Sequence, residues 1–354
     1  MTSLDTYRLL GRSGLRVSPL ALGTMTFGND WGWGSEPDEA RQIFDAYVDA
    51  GGNFVDTASN YTNGNAEQLL GEFITENRDK LVIASKYSLL RIPGDPNSGG
   101  NHRKSMISSV EQSLRRLRTD YLDLLYLHAW DDSTPAEEIL RAMDDLVHAG
   151  KVLYLGISNS PAWQAARMRT VADLRGWAPL IALQVPYSLG ERTVERELLP
   201  MAQALGLGVV PYSPLAGGVL TGKYDQAHLG LDPAVPMTGS RRNVAIANGQ
   251  LTARTLDITE TVRRIAADLG VTPAQVALAW PLHHPAVTAP IIGARTLKQL
   301  VEDLGALPVR LEPEHLDRLA TASSYAPGHP HDFLASPLGR AILFGDVVIE
   351  GLNG

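Results

Sequence analysis

The chain reads Asn53-Phe-Val-Asp-Thr-Ala-Ser-Asn-Tyr61 where a short apolar run leads into a polar loop. A Gly-Gly pair precedes this run, and the pattern predicts a short buried strand after the glycine break. Asp56 stands where the strand ends, at a position where an aliphatic residue would continue it. Tyr61 follows five residues later. Because loops on a rigid scaffold commonly carry chemistry, both residues are candidates for a functional site.

Two further predicted strands end in the same way. Leu81-Val-Ile-Ala-Ser-Lys86 is an apolar run that closes on a lysine, and Leu122-Asp-Leu-Leu-Tyr-Leu-His128 closes on a histidine. A single Lys or His at a strand end usually snorkels or forms an ordinary hydrogen bond. Three successive strands with such endings are less easily explained by chance, so the sequence predicts one site at a shared end of a sheet.

Composition limits the class of protein. The chain has 354 residues, of which 44% are hydrophobic and 20% charged, so it can bury a sizeable core as one large domain or two ordinary ones. Its 31 basic and 39 acidic residues give a net charge of −8, which argues against a nucleic-acid or anionic-membrane surface. The absence of cysteine excludes disulfides, thiol nucleophiles and cysteine metal sites.

Targeting signals are not evident in the sequence. The first residues carry no basic region followed by an apolar segment, and no apolar run reaches membrane-spanning length. The expectation from these features is a cytoplasmic enzyme that acts on a small molecule, with no nucleic-acid or membrane partner.

Strand and helix patterns alternate along most of the chain. A β-hairpin is predicted over residues 7–17, around a turn bounded by glycines. Eight strands then follow within about 270 residues, at 20–22, 53–55, 81–86, 120–128, 151–156, 180–184, 208–212 and 287–292. Helices are predicted at 37–50, 66–76, 104–117, 135–149, 161–171, 194–205, 256–269, 273–283, 296–304 and 313–321.

Strict alternation of strands and helices indicates a parallel sheet, and eight such units fit a closed (β/α)8 TIM barrel. Active sites of these barrels lie at the C-terminal ends of the strands, where Asp56, Lys86 and His128 are expected. The main competitor is an open doubly wound sheet, which usually carries G-x-G-x-x-G after its first strand. Here that position reads Gly23-Thr-Met-Thr-Phe-Gly28, which lacks the motif.

Two regions interrupt the alternation. Residues 213–256 form a long segment rich in Gly and Pro that includes Leu231-Asp-Pro-Ala-Val-Pro, and a loop of this length is typical of a lid or binding loop. Extra helices are therefore expected after strands 7 and 8. We expect a single domain over 1–354, with a core at about 7–322. The tail, 323–354, is expected to pack across the barrel or to fray.

At this point the chain resembles the aldo-keto reductase family, over about residues 7–322. The resemblance is closest to the bacterial branch that includes the potassium-channel β-subunits. It is carried by Gly11-Arg-Ser-Gly-Leu-Arg-Val-Ser, Leu22-Gly-Thr-Met, Asp56-Thr-Ala with Tyr61, Ser85-Lys86, Leu127-His128, Gly156-Ile-Ser-Asn159, Tyr212-Ser-Pro-Leu, Leu220-Thr-Gly-Lys223 and Pro290-Ile-Ile-Gly293.

The resemblance implies a catalytic tetrad of Asp56, Tyr61, Lys86 and His128. Hydride transfer to a carbonyl leaves a developing alkoxide, which needs a proton donor and electrostatic support. Tyr61 would be the donor, and a nearby Lys86 ammonium would lower its pKa from about 10. Asp56 would hold Lys86 in place, and His128 would orient the carbonyl oxygen through a ring N–H.

The resemblance also implies an NADP cofactor. Arg295, just after the eighth strand, would favour a 2′-phosphate, whereas Asp303 stands where the family usually has Asn and opposes that preference. The implied cofactor-binding residues are Gly23, Thr24, Met25, Asp56, Ser158, Asn159, Gln184, Tyr212, Ser213, Pro214, Leu215, Gly218, Lys223, Gly293, Arg295, Gln299 and Asp303.

Substrate choice is expected to depend on the loops that follow the strands. Trp31, Trp33 and Trp130 lie in two of these loops, and they either form a pocket wall for an apolar or planar carbonyl compound or simply pack the loops. His283 and His284 do not indicate a metal site, because adjacent helix positions do not face one another.

Three function classes are open on the sequence alone. The favoured one is an NAD(P)H-dependent reductase of aldehydes or ketones, whose reaction would also run in reverse as alcohol oxidation. The second is a regulatory cofactor-binding subunit like the channel β-subunits. The third is a sugar-modifying ketoreductase. Neither the physiological substrate nor the oligomeric state follows from the sequence.

Overall fold

The computed structural model describes residues 3–230, 240–345 and 347, and within them two sheets are present. Strands β1 (Arg8–Leu9) and β2 (Arg16–Val17) pair antiparallel as the predicted N-terminal hairpin. The remaining strands form one parallel eight-stranded sheet. They are β3 (Ala21–Gly23), β4 (Phe54–Asp56), β5 (Val82–Tyr87), β6 (Leu122–Leu127), β7 (Val152–Ser158), β8 (Leu180–Gln184), β9 (Gly208–Val209) and β10 (Ile291–Ile292).

The parallel sheet curls into a barrel. Its strand order is β10-β3-β4-β5-β6-β7-β8-β9, so each strand lies beside its neighbour in the chain and β10 returns to β3. Backbone hydrogen bonds close the ring next to β9, from Thr288 N to Val209 O at 2.8 Å and from Ile291 N to Pro211 O at 2.7 Å. The predicted (β/α)8 barrel is confirmed.

Helices surround the sheet, and those that pack on it bury an apolar stripe at helical spacing. In α4 the buried residues include Ile139, Leu140, Met143 and Leu146, and two glutamates occupy its first turn, where they favour the helix dipole. The helices are α1 (Pro37–Asp49), α2 (Asn65–Phe73), α3 (Arg103–Leu117), α4 (Ala136–His148), α5 (Ala162–Arg175), α6 (Leu198–Leu205), α7 (Arg241–Ala247), α8 (Ala253–Leu269), α9 (Pro273–Ala279), α10 (Leu297–Leu304), α11 (Pro313–Ala322), α12 (His331–Ala335) and α13 (Pro337–Phe344).

The hairpin closes one end of the barrel. Gly11 adopts a left-handed φ of 57°, and a Cβ there would lie 2.3 Å from the backbone oxygen of Ile181. Only glycine therefore fits this turn against the start of β8. Leu10 reaches the barrel interior, where it belongs to one cluster with Phe54 and Leu124. With the N-terminal end plugged, the opposite end is left for a site.

Several elements differ from the predicted ones. The regular part of β10 is only two residues long, because residues 287–290 bond irregularly and Pro290 has no N–H to donate. The described part of the tail forms two short helices, α12 and α13. The long segment after β9 contains α7, while Leu231-Asp-Pro-Ala-Val-Pro lies outside the described residues.

Candidate active site

The four candidate catalytic residues come together at the C-terminal end of the barrel. Asp56 is the last residue of β4, Lys86 lies near the end of β5, and His128 directly follows β6. The Lys86 ammonium donates to Asp56 Oδ2 at 2.5 Å and to the Tyr61 hydroxyl at 3.2 Å. The Tyr61 ring meets the His128 ring edge-on at 6.1 Å between centroids. Neighbouring parallel strands thus place all four side chains in one group.

The Asp56–Lys86 ion pair is buried, with residue exposures of 2% and 1%. Burial lowers the pKa of Lys86, but the Asp56 carboxylate and Tyr61 outweigh it, so the pKa lies above its usual value. The ammonium also donates to Thr57 O at 2.8 Å, so its three N–H bonds all have acceptors when Tyr61 is included. A buried charge with this number of partners stays ionised and fixed in position.

Burial raises the pKa of Tyr61 and the Asp56 carboxylate adds to this, whereas Lys86 lowers it. The net direction is upward. The expected lowering by Lys86 is therefore present as a contribution but is outweighed by the loss of water around the phenol. Tyr61 consequently holds its proton at neutral pH, which is the state that a proton donor needs.

The loop that carries Tyr61 has an unusual backbone. Thr62 and Asn63 both adopt left-handed conformations, with φ of 43° and 56°. Such values are uncommon for residues other than glycine, and rarer still for a β-branched residue such as Thr62. Arg116 of α3 holds the loop through a hydrogen bond of 3.0 Å to Ser59 O. The strained turn and this anchor together fix the position from which Tyr61 reaches Lys86.

His128 is neutral in this environment. Burial lowers its pKa to about 3, and the nearby Lys86 ammonium contributes in the same direction. Its Nδ1 is buried and has no hydrogen-bond partner, while the residue lines the cavity at this end of the barrel. The single proton of the neutral ring is therefore best placed on Nε2.

Three of the predicted cofactor residues are tied to this group. Gln184 donates from Nε2 to Asp56 Oδ1 at 2.8 Å. Asn159 donates to His128 O at 2.8 Å and accepts from the Tyr212 hydroxyl at 2.9 Å. Asn159 also has a left-handed φ of 43°. These bonds link the ends of β7, β8 and β9 to the candidate catalytic residues.

A cavity of about 660 Å³ extends from the tetrad along the ends of the strands. It is lined by most of the predicted site residues, including Trp31 and Trp33. Four predicted residues do not line it. Lys86 and Ser158 are buried, and the Thr24 hydroxyl donates to Asp56 O. The Trp130 indole donates to Asp132. Residues that line it without having been predicted include Thr26, Asn60, Leu89, Gly217, Thr221, Arg241, Asn248, Gln250 and Glu302.

Three cations face the far part of the cavity. Lys223, Arg241 and Arg295 line it, and none of them forms an ion pair with a residue that the structure describes. Burial lowers the pKa of Lys223, and Arg295 and Arg241 lower it further by repulsion. The Arg241 guanidinium lies over the Trp33 ring at 4.6 Å. Mutually repelling cations that form no ion pair with a described carboxylate indicate a site for an anionic ligand.

Arg241 was missed as a site residue in the sequence. The sequence does show the pair Arg241-Arg242 inside the Gly- and Pro-rich segment, but the path of that segment through the fold could not be predicted. The structure places Arg241 in the cavity and turns Arg242 toward backbone oxygens of His228 and Gly230.

Part of the cavity has features that suit the phosphates of a dinucleotide. Gly217 and Gly218 adopt left-handed φ values of 65° and 88°, and a Cβ on Gly218 would lie 2.7 Å from Lys223 Nζ. Bare backbone beside an unpaired ammonium is an arrangement that suits a phosphate. Lys223, Arg241 and Arg295 would hold the phosphates, and Asn159, Gln184 and Tyr212 would hold the nicotinamide end, next to Tyr61.

Where α10 and its approach line the cavity lie Arg295, Gln299 and Asp303. The Gln299 side chain accepts from the backbone N–H of Arg295 at 2.9 Å and so fixes the turn before α10. Asp303 is only 5% exposed, and no described residue donates a hydrogen bond to its carboxyl group. Burial raises its pKa to about 7, with a further contribution from Glu302.

Two other kinds of site find no support in the described ranges. No described helix is both long and apolar enough to cross a membrane. Within residues 3–230 and 240–345, no group of three or more His, Asp or Glu side chains is arranged to hold a metal ion.

Comparison with known proteins places this geometry in a family. The sequence pattern of the aldo/keto reductase family matches residues 19–324. Norsolorinic acid reductase of Aspergillus flavus is 35% identical over 344 residues, which cover 94% of this chain and 85% of the relative. Aryl-alcohol dehydrogenase GME11368 of Pestalotiopsis microspora is 36% identical over 341 residues, with the same coverage of both chains.

A third relative, aryl-alcohol dehydrogenase [NADP(+)] of Phanerodontia chrysosporium, is 33% identical over 363 residues and covers 98% of this chain and 90% of its own. These relatives are fungal, so the expected placement in the bacterial branch beside the channel β-subunits is not supported. The chain belongs to the aldo/keto reductase family and is an NAD(P)H-dependent carbonyl reductase.

Proposed function

We propose that the protein reduces the carbonyl group of an aromatic aldehyde or ketone with NADPH, and that Tyr61 donates the proton. The observation that carries this proposal is the contact between the Tyr61 hydroxyl and the buried Lys86 ammonium at 3.2 Å, at the wall of a cavity. This contact places a proton donor and a fixed positive charge where negative charge would develop on the substrate oxygen.

Tyr61 and Lys86 divide the work on the substrate oxygen. The bound cofactor supplies a hydride to the carbonyl carbon. The Tyr61 O–H gives its proton to the oxygen as negative charge builds there, and the electron pair of the O–H bond stays on the phenolate. Lys86 then stabilises that phenolate through the existing hydrogen bond. Asp56 holds the ammonium in position at 2.5 Å.

His128 has a different part from Tyr61. Because its pKa is lowered to about 3, it cannot act as a charged acid near neutrality. A neutral ring with its proton on Nε2 can donate a hydrogen bond to the carbonyl oxygen and orient it. Its Nδ1 has no partner among the described residues, which is consistent with that tautomer.

The substrate class follows from the wall that faces Tyr61. Trp31 meets the Tyr61 ring edge-on at 6.5 Å and lies 5.7 Å from Trp33, and Leu89 completes an apolar lining. A flat apolar wall favours a planar aromatic substrate. Of the three relatives described above, two are named aryl-alcohol dehydrogenases and one a norsolorinic acid reductase, which supports the same class.

The preference for NADPH over NADH is part of the proposal. Arg295 is the candidate for a charge-assisted contact with a 2′-phosphate, while Lys223 and Arg241 would serve phosphates common to both cofactors. One relative carries NADP(+) in its name, which supports the choice. We also propose that the whole chain forms a single domain.

The test is a panel of carbonyl substrates with the purified protein, followed by the loss of NADPH absorbance. Aromatic aldehydes should be turned over faster than small aliphatic aldehydes, diketones and sugars, and NADPH should outperform NADH. Tyr61→Phe serves as the matched control, because it keeps the ring and removes only the hydroxyl. Preferential turnover of sugars would support the sugar-modifying alternative, and tight NADPH binding without turnover of any substrate would support the regulatory alternative.

A further inference from the structure

Asp303 has an unexplained position for a carboxylate. It is 5% exposed, it lines the cavity, and no described residue donates a hydrogen bond or forms an ion pair with it. Buried carboxylates normally have such partners, because an ionised group without water or hydrogen bonds is strongly destabilised. A buried carboxyl group without partners at a ligand cavity is best explained by a contact that it makes with the ligand.

The surroundings of Asp303 do not supply a counter-charge. It lies on α10, which packs against α1 and α9. From α1, Glu39 accepts from Leu297 N at 2.6 Å, and an acidic side chain supplies no counter-charge. The sequence of α9, Pro273–Ala279, holds no ionisable residue.

The nearest acidic neighbour on α10 itself is Glu302, which also lines the cavity and raises the pKa of Asp303. The cations of α10 and its approach are Lys298, which is exposed, and Arg295. Across the cavity lie Lys223 and Arg241. None of these cations pairs with Asp303. Burial therefore dominates, and the pKa of Asp303 rises to about 7.

The position of Asp303 determines which part of the ligand it meets. On the proposed function, the nicotinamide lies beside Tyr61 and the phosphates lie among the three cations. The end of the cavity at α10 is then left for the adenosine part. Adenine presents an amino donor next to a ring-nitrogen acceptor. A neutral carboxylic acid offers one O–H donor and one C=O acceptor, which match that pair, whereas a carboxylate only accepts.

We propose that Asp303 binds the adenosine part of the cofactor as a neutral carboxylic acid, so that cofactor affinity falls as the pH rises through neutrality. The inference rests on the proposed function, since it takes the cavity to hold a nicotinamide dinucleotide. An ionised Asp303 would place a negative charge next to Glu302 in a buried site, beside a polyanionic ligand. Only the protonated fraction of the protein is then competent for tight binding.

The experiment measures the dissociation constants of NAD⁺ and NADP⁺ by calorimetry between about pH 6 and about pH 8.5, for the wild type, Asp303→Asn and Glu302→Gln. NAD⁺ has no 2′-phosphate, so its titration cannot mimic that of Asp303. Asn keeps the shape and the donor–acceptor pair of the neutral acid. Glu302→Gln removes an equal charge from the preceding residue of the same helix.

For the wild type, the dissociation constant of NAD⁺ should rise roughly 10- to 30-fold across this range, as expected for a competent acid with pKa about 7. In Asp303→Asn it should stay within about two-fold. Glu302→Gln should retain the rise, with its midpoint moved to lower pH, because loss of the neighbouring negative charge lowers the pKa of Asp303. The wild-type to Asp303→Asn ratio should be the same for NADP⁺ at each pH.

Thermal unfolding of the free protein gives a second readout. The pKa of Asp303 is higher in the folded state than its ordinary value of 3.8, so the folded state loses stability as the pH rises from about 4 to about 7. Asp303→Asn should remove that loss and melt higher than the wild type above neutral pH. This comparison also shows that the variant is folded.

A wild-type affinity for NAD⁺ that does not change with pH would overturn the inference. So would an Asp303→Asn variant with the wild-type slope, or a dependence seen with NADP⁺ alone, which would mean ordinary repulsion from the 2′-phosphate. If the wild type bound neither cofactor at any pH, the proposed function would fail and the inference would fail with it. Binding that is independent of pH leaves the proposed function intact.

Discussion

The two ends of the cavity differ in whether their charged side chains are paired. At the tetrad, Asp56 and Lys86 lie 2.5 Å apart with side-chain exposures of 3% and 0%, and each has further hydrogen bonds. At the far end, Lys223, Arg241 and Arg295 form no ion pair among the described residues, and Asp303 has no partner there either.

The charges at the tetrad are already paired within the protein, whereas those at the far end would be neutralised by a bound ligand. A reacting group that is already paired needs no rearrangement during the reaction, which is the condition for electrostatic stabilisation of a transition state. Unpaired cations, by contrast, repel one another until an anion neutralises them. Changes at the tetrad should therefore affect the chemical step, and changes at the far end should affect cofactor affinity.

The largest effect is expected for Lys86→Met. It removes the charge partner of Tyr61 and leaves the Asp56 carboxylate buried and unpaired. Turnover should fall by at least about 10²–10⁴-fold, and the free energy of unfolding should drop by about 3–5 kcal/mol. Steady-state kinetics and denaturant unfolding measure the two quantities separately.

The matched control is Arg78→Met. Arg78 pairs with Asp123 at 2.8 Å, and both side chains are largely buried, but neither residue lines the cavity. This variant should lose stability while the turnover of its folded fraction stays within about two-fold. If it lost turnover as severely as Lys86→Met, the loss in Lys86→Met would reflect general destabilisation and not the chemical step.

Smaller effects, on affinity, are expected for the cations. Arg241→Ala should weaken NADPH and NADH binding together, and Arg295→Ala should weaken NADPH alone. Each charge-assisted hydrogen bond is worth roughly 1.5–3 kcal/mol, or about 10–100-fold in the dissociation constant. Arg242→Ala is the control, since that side chain bonds backbone oxygens outside the cavity. An Arg295→Ala variant that kept the full NADPH preference would remove Arg295 from the specificity assignment.

Raising the salt concentration should weaken NADPH binding a few-fold and leave the rate of hydride transfer nearly unchanged. The three cations are partly open to solvent, so salt screens them and the NADPH dissociation constant should rise by about two- to ten-fold between low and high ionic strength. The buried Asp56–Lys86 pair is screened much less, so the rate of hydride transfer at saturating cofactor should change little. A rate that fell in parallel with affinity would show that the tetrad is open to solvent.

The smallest effect concerns His128. Because its folded pKa is lowered to about 3, it stays neutral, and turnover at saturating cofactor should show no histidine-dependent step between about pH 5 and about pH 8. The sign for stability is the reverse of that for Asp303, since the unfolded state gains the proton first. Stability should therefore decrease as the pH falls below about 6.5. A turnover step near pH 6.5 that disappeared in His128→Asn would contradict the neutral state.

Sequence reasoning reached the tetrad end more completely than the far end. Asp56, Lys86 and His128 mark the ends of successive strands, and parallel strands in a barrel bring their ends together. The sequence carried no information on how deeply Tyr61 is buried, so the expected downward shift of its pKa did not anticipate the dominant effect of burial.

At the far end, the side chains lie on segments without a regular period. Arg241 belongs to a long excursion whose path depends on tertiary contacts such as that with Trp33. Trp130 follows His128 as expected, yet its indole turns to Asp132 and does not line the cavity. In the tail, the exposed Leu338 and Ile342 gave no pattern of burial from which α13 could be predicted.

The most direct test of the account is a single turnover of the NADPH-saturated protein with an aromatic aldehyde, compared between the wild type and Tyr61→Phe. The NADPH dissociation constant is measured on the same samples. Loss of the proton donor should slow hydride transfer by about 10²–10⁴-fold, while the dissociation constant stays within about two-fold. A near-normal rate in Tyr61→Phe would contradict the assignment of Tyr61 as the proton donor.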